Sequence, residues 1–107
     1  MDPRRLDQLD RARKLRARVS ILLARGHGAP ETVELDQVQR EALEASTRVH
    51  VVVRSWVDAT RYVTISARPD TQDCVTEDRL ADAVDRALHR FEAIPTLDSE
   101  ESAEEQK

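Results

Sequence analysis

Apolar residues recur at helical spacing through the first quarter of the chain, where Leu9, Ala12, Leu15, Val19, Leu22 and Leu23 gather on one face. This spacing predicts a helix from about Arg4 to Arg25, stopped by Gly26 and Gly28. Leu6 and Ile21 fall outside the stripe and imply frayed ends or a second contact. After Pro30 the residues are rich in Glu, Gln, Leu and Ala. Asp36 with Gln39 three positions later has the form of a reciprocal cap, predicting a second helix to about Ala45. Thr32 to Leu35 fits either that helix or a short strand.

The pattern then changes period. Val49, Val51, Val53 and Val57 alternate with His50, Val52, Arg54 and Trp56, and a second β-rich run covers Arg61 to Arg68. The two runs are expected to pair as a hairpin. With Asp58, Ala59 and Thr60 as the loop, Val49, Val51, Val53, Val57, Val63, Ile65 and Ala67 share one apolar face. A two-residue loop would instead mix Val with Thr and Arg. In the preferred register Trp56 lies opposite Tyr62, on a face with His50, Val52, Arg54, Thr64, Ser66 and Arg68. Pro69 and Asp70 open a polar connection to Thr76, a helix N-cap followed by Glu77 and Asp78. Leu80, Val84, Ala87, Leu88 and Phe91 mark an amphipathic last helix, closed by Pro95. Residues 96–107 hold five acidic residues and no aromatic, which predicts a disordered tail. The expected fold is one α+β domain over 1–95, in the order helix, helix, strand, strand, helix.

Size and composition sharpen this outline. The chain has 107 residues, of which 39% are hydrophobic and 36% charged, and only Trp56, Tyr62 and Phe91 are aromatic. A chain this short buries about 60 to 65% of its unfolded surface, and much of its apolar content is alanine. A second surface is therefore expected to complete the core, most simply that of an identical chain in a homodimer. Cys74 is the one cysteine, so an intramolecular disulfide and a thiolate zinc site are both excluded. With no apolar run of signal or membrane-spanning length, the protein is expected to be cytoplasmic and to have no membrane partner.

The net charge of -4 conceals an alternation along the chain. Residues 1–30 hold eight Arg and Lys against three Asp, and residues 48–68 hold four Arg against one Asp. The segments 31–47, 69–95 and 96–107 are each acidic.

Catalytic patterns are not evident. His27 lies between two glycines, His50 on the hairpin and His89 late in the last helix, without the paired spacing of metal ligands. No nucleophile has a base beside it in sequence. Two glycines cannot assemble a phosphate-gripping loop, so no nucleotide cofactor is expected. Cys74 reads as a packing residue, and the alternation of Asp78, Asp82 and Asp85 with Arg79, Arg86 and Arg90 reads as a solvated helix face. The expectation is a non-catalytic protein without cofactor or metal.

The basic residues carry the remaining chemistry. Arg4, Arg11, Lys14, Arg18 and Arg25 follow one stripe of the first helix and could contact phosphates. The reading favoured by the residues alone is that they flank an apolar seam and cover it with their methylene stems, and both can hold. On the hairpin, Trp56 and Tyr62 bracketed by Arg54 and Arg68 could stack bases, or could simply stabilise the ribbon under another element.

Val49, Val51 and Val53, then Val63, Thr64 and Ile65, then Pro69, then Leu80, Asp82, Val84, Ala87 and Leu88 resemble the end of YbaB/EbfC nucleoid-associated proteins, over about residues 47 to 93. That family joins a long first helix, a short antiparallel sheet and a final helix. The resemblance implies a homodimer that binds DNA with little sequence preference and does no catalysis. The function expected from the sequence is accordingly non-catalytic binding of DNA or RNA. The alternative is a protein-binding adaptor or assembly subunit that meets another chain.

Overall fold

The computed structural model describes residues 3–26, 28–69 and 74–94. It is mixed α+β, with helix α1 (Pro3–Lys14), strands β1 (Ala17–Ala24) and β2 (Glu31–Glu34), helix α2 (Arg40–Glu44), strands β3 (Arg48–Ser55) and β4 (Tyr62–Ala67), and helix α3 (Glu77–Ala93). A 3-10 turn at Leu35–Gln37 links β2 to α2. The four strands form one antiparallel sheet in the order β2-β1-β3-β4, so β1 and β3 are central.

The largest correction to the sequence reading lies in the first quarter of the chain. The helix predicted to Arg25 ends at Lys14, and the chain turns through Arg16 at φ 56 into β1. Ala17, Val19, Ile21 and Leu23 are buried, while the residues between them are more exposed, except for Ala24 at the strand end. This period of two had been hidden because Leu15, Val19, Leu22 and Leu23 also satisfy a period of 3.6. Ile21, which the helical stripe left over, is 0% exposed at the centre of the sheet.

Of the two alternatives open for Thr32 to Leu35, the strand holds for Thr32 to Glu34: Thr32 lies in β2, paired with Leu22, and Leu35 opens the 3-10 turn. The Asp36–Gln39 cap does not form: α2 begins only at Arg40, its N-cap is Gln39, and no side chain caps it. The Thr76 cap does form, its hydroxyl oxygen accepting from the Arg79 amide at 3.3 Å. The acidic tail, with its expected disorder, lies outside the described residues, as does His27.

In the β3–β4 hairpin, Arg54 pairs with Tyr62 and the Ser55 amide donates to Arg61 O. The loop is thus five residues, 56–60, rather than three. Ser55 Oγ accepts from the amides of Val57 and Asp58. Asp58 accepts from the Thr60 hydroxyl and amide, bonds that hold its carboxyl below the usual range. Because the register differs from the expected one by two residues, the faces are conserved. Val49, Val51 and Val53 share the inner face with Val63, Ile65 and Ala67, but Val57 leaves the sheet and is 72% exposed.

On that inner face α3 packs over β3 and β4, and α1 over β1. Phe91, Ile21, Leu35, Leu43, Leu80, Leu88 and Val84 are buried within one chain. Leu6, Trp56, Val57 and Tyr62 are the large apolar residues left exposed. Helices α1 and α3 run parallel. Buried Gln8 donates to Ala81 O (2.9 Å) and Asp85 Oδ1 (2.8 Å), and Arg11 pairs with Glu92 one helical stretch further on. Among the described residues, no helix is long and apolar enough to cross a membrane.

Candidate nucleic-acid interface

The fold divides the sequence-predicted site residues into two groups. Arg4, Arg11 and Lys14 remain on α1, whereas Arg18 lies in β1 and Arg25 just beyond it, so no single helical stripe exists. The α1 cations are engaged within the protein. Arg4 donates to Asp82 at 2.6 Å and Asp85 at 3.1 Å, bonds that raise its pKa further above the ordinary arginine value. Arg11 pairs with Glu92, and Lys14 with Asp10 at 3.2 Å. Asp82 and Asp85 therefore edge the seam between α1 and α3 while remaining on its solvated side. Arg5, which the stripe did not include, donates to Val38 O at 2.9 Å and so ties α1 to the segment before α2.

The second group is gathered by strand register. Antiparallel partners share a face, so the pairs Arg18 with Arg54 and Arg54 with Tyr62 set these three side chains in a row. One step further along the ladder, the Trp56 amide donates to Arg16 O at 2.8 Å and brings Arg16 and Trp56 to the end of that row. No helix covers this face. Trp56 is 60% and Tyr62 51% exposed. The expected Trp56–Tyr62 pairing is replaced by Arg54, whose guanidinium carbon lies 4.7 Å from the Tyr62 ring centroid and whose Nη1 donates to Ala59 O at 2.5 Å.

Electrostatics concentrate positive charge at this end. Helices α1 and α3 both direct their C-termini here, where the backbone dipole favours cations. Arg13 and Arg16 have no ion-pair partner among the described residues, while Arg18 Nε meets Glu34 at 2.8 Å. A groove of about 410 Å³ runs beside Trp56 between α1 and β1, floored by Leu9, Ala12, Ala17, Val19 and Leu35 and edged by Arg13 and Arg18 together with the carboxylates Glu34 and Asp36. Arg25 and Arg68 lie elsewhere. Arg25 lines a separate groove with Glu31 and Gln39, and Arg68 lines another with Arg79, Asp82, Asp85 and Arg86.

Sequence reasoning missed Arg16 and Arg61. Arg16 was assigned to mid-helix, and its only signal is that a helix ending there leaves Ala17, Val19, Ile21 and Leu23 alternating. Arg61 Nη2 donates to Phe91 O (3.2 Å) and Ile94 O (3.0 Å), and its guanidinium carbon lies 4.3 Å from the Phe91 ring centroid. It thereby closes the C-terminus of α3 against the hairpin, although its buried Nε has no hydrogen-bond partner among the described residues.

The sheet also unites a base with a hydroxyl that sequence distance had separated, His50 Nδ1 lying 3.0 Å from Ser66 Oγ. Their row continues to Leu22 and Thr32, without a carboxylate to orient the imidazole. The pair is a cross-strand hydrogen bond on an open surface. Among the described residues, no group of three or more His, Cys, Asp or Glu could hold a metal ion. Compared with models of known protein families, with curated proteins and with solved structures, the chain matches none.

Proposed function

We propose that the protein binds single-stranded DNA or RNA, without catalysis, through the basic end of its open sheet face. The observation that carries this reading is the set Arg16, Arg18, Arg54, Trp56 and Tyr62, aligned by strand register on a surface that no helix covers. Arginines supply attraction to phosphates whatever the sequence, and exposed rings offer π-faces that any unpaired base can stack on. A duplex hides its base faces, so aromatic rings on a flat sheet favour single strands. The α1 stripe is a poorer candidate, since Arg4, Arg11 and Lys14 all have carboxylate partners, whereas on the sheet face Arg18 is paired with Glu34 and Arg16 and Arg54 have no ion-pair partner among the described residues.

A protein-binding adaptor is the second reading, favoured by the adjacent exposure of Trp56 and Val57 at the hairpin tip. Both readings are separated by titrating oligo-dT, oligo-U and a duplex at two salt concentrations. Trp56, the sole tryptophan, provides the signal. Changing Arg16, Arg18 and Arg54 together to Gln should flatten the slope of log affinity against log salt by about two, at roughly 0.7 per phosphate contact on single strands. Trp56→Ala and Tyr62→Ala should each cost about 1–3 kcal/mol of binding. The equivalent triple change at Arg4, Arg11 and Lys14 should leave the slope unaltered. Absence of salt-dependent binding by the wild type at low ionic strength overturns the nucleic-acid reading and leaves the adaptor.

A further inference from the structure

We propose that the acidic segment 98–105 docks on the basic end of its own chain and masks Arg13, Arg16, Arg18 and Arg54. The claim that this masking regulates nucleic-acid binding rests on the function proposed above; the contact itself does not. Its first support is the place where α3 ends. Arg61 donates to Ile94 O, the Ser55 amide donates to Arg61 O, and the Trp56 amide donates to Arg16 O. The last residues of α3 therefore leave the fold beside the hairpin and only a few strand spacings from Arg16 and Arg18.

Reach is the second support. Strands lie about 4.8 Å apart, so β4 to β1 is about 10 Å. At roughly 3.3–3.6 Å per residue, Asp98 can lie about 13 Å from Ile94 and Glu105 about 36–40 Å. The segment can therefore span the whole row from Tyr62 to Arg18 with length to spare. Charge is the third. Asp98, Glu100, Glu101, Glu104 and Glu105 fall within eight residues, against a surface on which Arg13 and Arg16 have no ion-pair partner among the described residues, although Arg18 is paired with Glu34 and Asp36 lies beside it. The carboxylates of α3, by contrast, are directed to α1, where Asp82, Asp85 and Glu92 meet Arg4 and Arg11. Exposed ion pairs are individually weak, but a short tether holds the two partners at effective concentrations near the millimolar range. The contact should then be real at low salt and lost as salt rises.

The test uses the full chain with the five carboxylates neutralised, Asp98→Asn with Glu100, Glu101, Glu104 and Glu105 each →Gln, beside a chain ending at Ile94, which keeps every described core residue and the partly buried Ile94 packed against them. In 20 mM salt the Trp56 emission of both variants should differ from wild type, and the difference should vanish in 0.5 M salt, both being round working concentrations either side of about 0.1 M, where the Debye length is about 10 Å. A synthetic peptide of residues 95–107 added to the shortened chain should restore the wild-type spectrum. The peptide should fail to do so when Arg16, Arg18 and Arg54 are Gln. Both variants should bind oligo-dT about three- to tenfold more tightly than wild type at low salt. Identical Trp56 spectra in all three proteins, with no response to the peptide, overturn the docking. A Trp56 response to the peptide with no oligonucleotide binding in any protein upholds the docking and removes the nucleic-acid function.

Discussion

Arg16 shows how one residue can serve two demands that conflict. It occupies the left-handed region at φ 56, where a side chain costs about 1–2 kcal/mol and glycine costs far less. Its carbonyl accepts from the Trp56 amide, which brings the exposed Arg16 to the end of the basic row. Strain retained at such a position points to a use for the side chain. Arg16→Gly should therefore leave stability unchanged or raise it by up to about 1 kcal/mol in urea unfolding, while weakening oligonucleotide binding. A loss of stability beyond that range would mean that the Arg16 side chain supports the fold. A glycine variant that binds as well as wild type would remove it from the interface.

At the scale of elements, the hairpin and α3 are held together by Arg61. Its bonds to Phe91 O and Ile94 O satisfy carbonyls that the end of a helix leaves without partners. Arg61→Ala should cost about 1–3 kcal/mol and speed amide exchange in the last turn of α3 and the loop 56–60, with little change in the first turns of α3. Uniform loss of protection throughout α3 would show instead that Arg61 supports the core generally. Local signals were readable for α3, with its Thr76 cap, five apolar residues on one face and Pro95 beyond. For β1 they were not, because residues 15–23 fit both periods and only pairing to β2 on one side and β3 on the other selects the strand.

Viewed whole, the molecule is two layers, helices over one face of a sheet whose other face is open. The open face carries Arg18, Arg48, Arg54, Thr64 and Ser66 around a small apolar centre of Leu22 and Val52, a composition that water can cover. With the core closed inside one chain, light scattering at micromolar concentration should give the mass of one chain, about 12 kDa. Twice that mass would place a second copy on an exposed surface. If the copy covered the open face, it would exclude the proposed binding mode.

The α+β class, the hairpin with its apolar Val face, the Thr76 cap and the limits of the last helix were all settled by residues close together in sequence. Capping, side-chain alternation and amphipathic spacing are local effects, and here each points to the same element that the packed fold adopts. The conversion of residues 17–24 from helix to central strand, the two-residue shift of register, and the division of the arginines into paired and outward-facing groups were decided by tertiary structure. Each of these depends on a partner distant in sequence: Val51 and Val53 for Ile21 and Val19, Arg61 O for the Ser55 amide, and Asp82, Asp85 and Glu92 for Arg4 and Arg11. A stripe of charge in sequence records where cations are, but their availability to a ligand depends on which carboxylates the fold brings within about 4 Å of them.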